Sequence, residues 1–160
     1  MIRVLLVLGL LLCSPTFVMG QPVPTDKIRM TMKFFTSNGL SKSQAAGVVG
    51  NLIQESKLNP SARSPGKCYG IAQWLGRRFR QLKQFTHIRN RPWDCFDSQL
   101  LFIMFEFTNE EHRAFQSLQQ TKTVDQATQV VGRLYLRPKR VESTRYKYAQ
   151  QAYLIGDGSE

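Results

Sequence analysis

The sequence predicts a mostly α domain of about six or seven helices. Three observations lead there. Apolar residues recur at helical spacing in successive segments, as at Ile28, Met32 and Phe35, or Phe79, Leu82 and Phe85. Two segments open with a capping box, Ser41 with Gln44 and Thr123 with Gln126. Residues 96–108 contain no Gly or Pro and enclose the apolar run 100–107, which reads as a buried central helix.

The chain opens with Met1-Ile2-Arg3, continues with an apolar stretch over 4–12 broken only by Gly9, and reaches the small residue Gly20. That order is the pattern of a secretory signal, expected over 1–20 and cleaved after Gly20, which makes the protein secreted or periplasmic. The apolar stretch is too short to span a bilayer as a helix. A single domain then runs over 21–155, and residues 156–160 form a tail.

Within the domain, a first helix starts at Thr25 or Asp26 and stops at Gly39. The Ser41 box opens a second, from about Lys42 to Glu55, which places Val48, Leu52 and Glu55 on one face. Asn59-Pro60 stops it, and Pro65, Gly66 and Gly70 mark the following loop. A basic amphipathic helix comes after Trp74, with Arg77, Arg78, Arg80 and Lys83 opposite its apolar stripe. The central helix starts at Asp94 or Asp97. The next reaches Gln119, with Phe115 and Leu118 inward. The Thr123 box opens a helix that ends before Pro138, and residues 143–154 make the last.

Lys and Arg number 22 against 11 Asp and Glu, a formal charge of +11. Such a charge favours polyanionic surroundings. The basic residues are scattered, so a solvated basic face is expected rather than a specific nucleic-acid site. His87, His112, Cys68 and Cys95 lack metal-ligand spacing. Neither metal nor cofactor is implied. Cys68 and Cys95 form an even pair in an exported chain and predict a disulfide, worth roughly 3–4 kcal/mol in the loop-entropy model.

The chemistry concentrates in residues 55–74. Glu55 ends an apolar helical face. Burial and the negative end of a helix both penalise a carboxylate, which suits a proton donor to a leaving-group oxygen. The loop offers Ser56, Asn59 and Ser64 as hydrogen-bonding groups. Gln73 can bond an N-acetyl group or the acid itself. Tyr69 and Trp74 offer flat faces on which sugar rings stack.

The stretch Glu55-Ser56, Leu58-Asn59-Pro60, Ala62, Ser64, Gly70-Ile71-Ala72-Gln73 resembles the first motif of soluble lytic transglycosylases. With Ser41-Lys42, residues 45–52 and Tyr69-Gly70-Ile71-Ala72-Gln73-Trp74 added, it is more similar still to phage tail lysozyme-like domains. Gln99-Leu100 through Thr108 resembles that family's central helix. Tyr135-Leu136-Arg137-Pro138 resembles its late motif, with Leu136 where the family has Glu. The resemblance covers residues 27–153.

It implies a lysozyme-like fold and cleavage of the β-1,4 bond between N-acetylmuramic acid and N-acetylglucosamine. The catalytic-acid role falls on Glu55, and positioning of the sugar on Ser56, Gln73 and Tyr69. The implied partners are peptidoglycan glycan strands and an envelope-spanning secretion, pilus or phage apparatus. Two mechanisms share the acid. A lytic transglycosylase uses Glu55 as acid and then base and releases 1,6-anhydro products. A hydrolytic lysozyme adds water, usually with a second carboxylate. Asp94 and Asp97 are better explained as helix N-terminal residues, and Glu106 as the partner of an arginine. The expectation is therefore a transglycosylase. The competing classes are a non-catalytic wall-binding or assembly protein and a basic protein that permeabilises membranes by charge.

Overall fold

The computed structural model describes residues 22–156. The expected signal over 1–20 lies outside the described residues, as do 157–160. Seven α-helices follow in chain order: α1 (Thr25–Ser37), α2 (Lys42–Ser56), α3 (Gly76–His87), α4 (Phe96–Thr108), α5 (His112–Gln119), α6 (Val124–Val130) and α7 (Thr144–Ile155). Both capping boxes form as expected. Ser41 N donates to Gln44 Oε1 at 2.9 Å and Gln44 N to Ser41 Oγ at 3.3 Å, and Thr123 and Gln126 repeat the arrangement.

The central helix is α2, not α4. Every residue of α2 over 44–53 is buried. The reason lies in its small residues. A Cβ built on Gly47 would lie 2.6 Å from Ala127 Cβ, and one on Gly50 only 2.4 Å from Ala149 N. The backbones of α6 and α7 therefore rest almost directly on α2, and α1 covers another side. By contrast α4 buries Leu100, Phe102, Ile103 and Phe107 but leaves Leu101 and Phe105 more than 40% exposed, at 44% and 43%. A continuous apolar run hides which face points inward, and α4 uses one face only.

The close approach sets the register of the site. Gly50→Ala forces α2 and α7 apart and costs about 3 kcal/mol, which lowers Tm by roughly 6–12 °C. A thermal melt of the variant checks this. A Tm within 2 °C of the wild type would show that the α2–α7 contact is loose.

The helix expected to run from the Thr123 box to Pro138 ends where predicted but changes winding. Residues Val131–Leu136 form a π-helix, closed by Arg137 at φ 55°. The wider turn brings Tyr135 fully into the core and leaves Leu134 exposed. Tyr135 OH then donates to Glu106 Oε2 at 2.6 Å. Glu106 also accepts from Trp74 Nε1 at 2.9 Å and from Arg78 Nε and Nη2 at 2.7 and 2.9 Å. This is the arginine pairing expected of Glu106. Burial, then the charge of Glu106, pushes the Tyr135 phenol well above its usual range. Burial works against the Arg78 cation, yet Tyr135 and Glu106 outweigh it and raise its pKa.

Candidate active site

The last turn of α2 carries Glu55, with Asn51 one turn earlier on the same face. α7 runs antiparallel along α2. Gly50 meets Ala149, and Gln54 Oε1 accepts from Thr144 Oγ1 at 2.7 Å. That register puts Arg145 across from both Asn51 and Glu55. Its Nη1 donates to Asn51 Oδ1 at 3.1 Å and its Nη2 to Glu55 Oε1 at 2.7 Å. Asn51 Nδ2 donates in turn to Gly47 O at 2.8 Å and Thr128 O at 3.0 Å. The Arg145 side chain is 4% exposed and that of Glu55 17%. Among the described residues no group donates to Glu55 Oε2. The sequence predicts a carboxyl group facing burial, a helix end and the Gln73 amide; the structure gives it a buried cation instead.

The loop after α2 is held from three sides. Lys57 and Leu58 take positive φ, 56° and 58°, and turn the chain so that Leu58 is buried. Ser56 Oγ lies 3.0 Å from Ile71 O, which ties the helix end to the returning segment. Gln99, fully buried on α4, does the rest. Its Oε1 accepts from Ile71 N at 2.9 Å, and its Nε2 donates to Pro60 O and Trp93 O at 2.8 and 2.9 Å. Gly70, at φ 72°, fits against this amide; a Cβ there would lie 2.8 Å from Gln99 Oε1.

The other predicted site residues divide. Ser64 is half-buried in the loop, and its backbone N–H donates to Cys68 O at 3.0 Å. Tyr69 is half-buried, but Phe79 stacks on its ring at 4.0 Å, and Trp93 meets both rings edge-on. Gln73 does not reach the acid. It sits at φ 53° and its Nε2 donates to Gly70 O at 3.0 Å, within its own turn. Trp74 is not a sugar platform. It is 1% exposed, its N–H satisfied by Glu106 and its ring set against Phe102. An indole can be buried so deeply once its N–H has a partner.

The expected Cys68–Cys95 bridge is not formed; both are free thiols, half-buried. Cys68 Sγ turns to Gly66 O at 3.8 Å. Cys95 bonds to Ser98 at the start of α4, and these hydrogen bonds lower its pKa. Of the second-carboxylate candidates, Asp94 accepts from Ser61 Oγ at 3.1 Å beside the loop, and Asp97 is exposed in the first turn of α4. Among the described residues no three His, Cys, Asp or Glu side chains converge as a metal site needs.

Sequence reasoning missed Arg145, Gln99 and Asn51 as site residues. Gln99 and Asn51 had a local signal, an amide inside an apolar helix. Arg145 had none, being one of several arginines near the end of the chain.

A helical domain whose central helix ends in a carboxylate, beside a loop fastened to that helix, defines a lysozyme-like enzyme. The sequence model of the phage tail lysozyme family matches residues 26–155, and the chain belongs to that family, whose members cleave glycosidic bonds. No curated protein matches the chain.

Proposed function

We propose that the protein cleaves the β-1,4 bond between N-acetylmuramic acid and N-acetylglucosamine of peptidoglycan, as a lytic transglycosylase using Glu55. The observation that carries this is the state of Glu55. It is partly open, its Oε1 is held by Arg145, and its Oε2 accepts from nothing among the described residues. Protonated Oε2 gives its proton to the glycosidic oxygen as the bond to the muramyl C1 breaks. The carboxylate then takes the proton of the muramyl C6 hydroxyl as that oxygen bonds to C1. The product is a 1,6-anhydro sugar and no water is consumed. Both roles are general acid–base work by one group.

Glu106, the carboxylate in the most apolar run, is fully engaged by Arg78, Tyr135 and Trp74, which supports a route without a second acid. A hydrolytic route has one observation in its favour, Asp94 beside the motif loop through Ser61. Export to the cell envelope fits both routes, and the basic surface suits an anionic wall. An envelope-spanning secretion, pilus or phage apparatus is the kind of partner such an enzyme serves.

Mass spectrometry of the products released from purified peptidoglycan tests the route. The expected products carry 1,6-anhydro ends. Reducing ends would make the protein a hydrolase and assign water activation to a group such as Asp94.

A further inference from the structure

The arginine at the acid has no role in the sequence motif, and its geometry is unusual. Arg145 is buried, and among the described residues nothing accepts from its Nε. Core filling alone would call for an apolar side chain here, because burying a charge carries a desolvation cost. The guanidinium instead sits where its two terminal nitrogens reach Asn51 Oδ1 and Glu55 Oε1. Asn51 is itself fixed, bonded to Gly47 O within α2 and to Thr128 O on α6. A buried chain of hydrogen bonds thus runs from α6 through α2 and α7 to one oxygen of the acid.

We propose that Arg145 is a positioning residue for Glu55: it clamps Oε1 to the α2–α6–α7 framework and reserves Oε2 as the proton-carrying atom. This rests on the reading of Glu55 as the acid/base. A glutamate side chain has three rotatable bonds, and the open end of α2 gives this one room to turn. Asn51 holds the guanidinium plane through Nη1, so Nη2 meets Oε1 from one fixed direction, which the rotatable point charge of a lysine does not supply. Both proton transfers then use one oxygen from one position. The glycosidic oxygen leaves the muramyl C1 that the C6 oxygen then attacks, so both transfers occur around one carbon and an acid that swivels between them loses alignment.

The test measures kcat and KM on soluble glycan strands for the wild type, Arg145→Lys and Arg145→Met, with activity expressed per folded molecule from a thermal melt. Misplacing a catalytic group by about 1 Å costs about 100-fold, so Arg145→Met is expected to lose about that much in kcat with KM within about twofold. Arg145→Lys keeps a cation for Oε1 but cannot span Asn51 as well, and is expected to lose about tenfold in kcat. A kcat for folded Arg145→Met within twofold of the wild type overturns the proposal. So does wild-type kcat in Arg145→Lys, since a point charge would then position the acid as well as the fork does. Where Arg145→Met does not fold, Arg145→Lys alone decides: a tenfold lower kcat at unchanged KM supports positioning, and wild-type kcat overturns it. Activity that survives in Glu55→Gln would instead remove the acid/base reading itself, an outcome distinct from any of these.

Discussion

Glu106→Ala is expected to leave the protein largely unfolded at 37 °C. The side chain is 6% exposed and accepts from Arg78, Trp74 and Tyr135 together. Removing one partner of a buried ion pair costs about 3–5 kcal/mol. The indole N–H and the phenol O–H would also lose their acceptor, at about 1–3 kcal/mol for each buried group left unsatisfied. A domain of this size has only about 5–15 kcal/mol in total. Glu106→Gln keeps an acceptor oxygen and loses the charge, so its loss is smaller. Urea denaturation followed by tryptophan fluorescence reports directly, because Trp74 sits on the hub. A midpoint for Glu106→Ala close to that of the wild type would mean the hub is not holding α3, α4 and the π-helix together. Activity per folded molecule should survive Glu106→Gln. If it falls a thousandfold, Glu106 is in the chemistry after all.

Glu55 gives the other large effect, and its two obvious substitutions should separate. Glu55→Gln keeps an oxygen to accept from Arg145 Nη2 but cannot carry the proton. Its Tm should stay within a few degrees of the wild type while product release falls about 1,000-fold or more, since acid and base work contributes about 100- to 10,000-fold at each step it serves. Glu55→Ala removes the proposed proton carrier and also takes an acceptor from a buried guanidinium whose Nε has none among the described residues. That should cost stability as well, by about 3 kcal/mol or more. Equal stability of the two variants would show that Arg145 does not depend on Glu55 in the folded state.

Much of this was legible in the chain. The helix that delivers Glu55 announced itself through the Ser41–Gln44 box and the spacing of Val48, Leu52 and Glu55. The pairing of Glu106 followed from a lone carboxylate in an apolar run. What was misread has physical reasons. The central position went to α2 because Gly47 and Gly50 admit neighbouring backbones, whereas the eye follows the bulkier run in α4. Trp74 looked like a sugar platform in a loop, but its partner Glu106 lies 32 residues further on, in another helix. Arg145 lies 90 residues from Glu55, and the packing of α7 on α2, closest at Gly50 and Ala149, brings them together. Local pattern reveals where a residue sits on its own helix. It does not reveal which distant residue meets it there.

The central claim is that this enzyme cuts peptidoglycan with Glu55. The most direct measurement is release of soluble muropeptides from purified peptidoglycan by wild type and by Glu55→Gln matched in Tm. Abundant release by the wild type and about 1,000-fold less by the variant is the expected result. Release by a folded Glu55→Gln within tenfold of the wild type would contradict it, and no release by either would leave a wall-binding protein on an enzyme's fold.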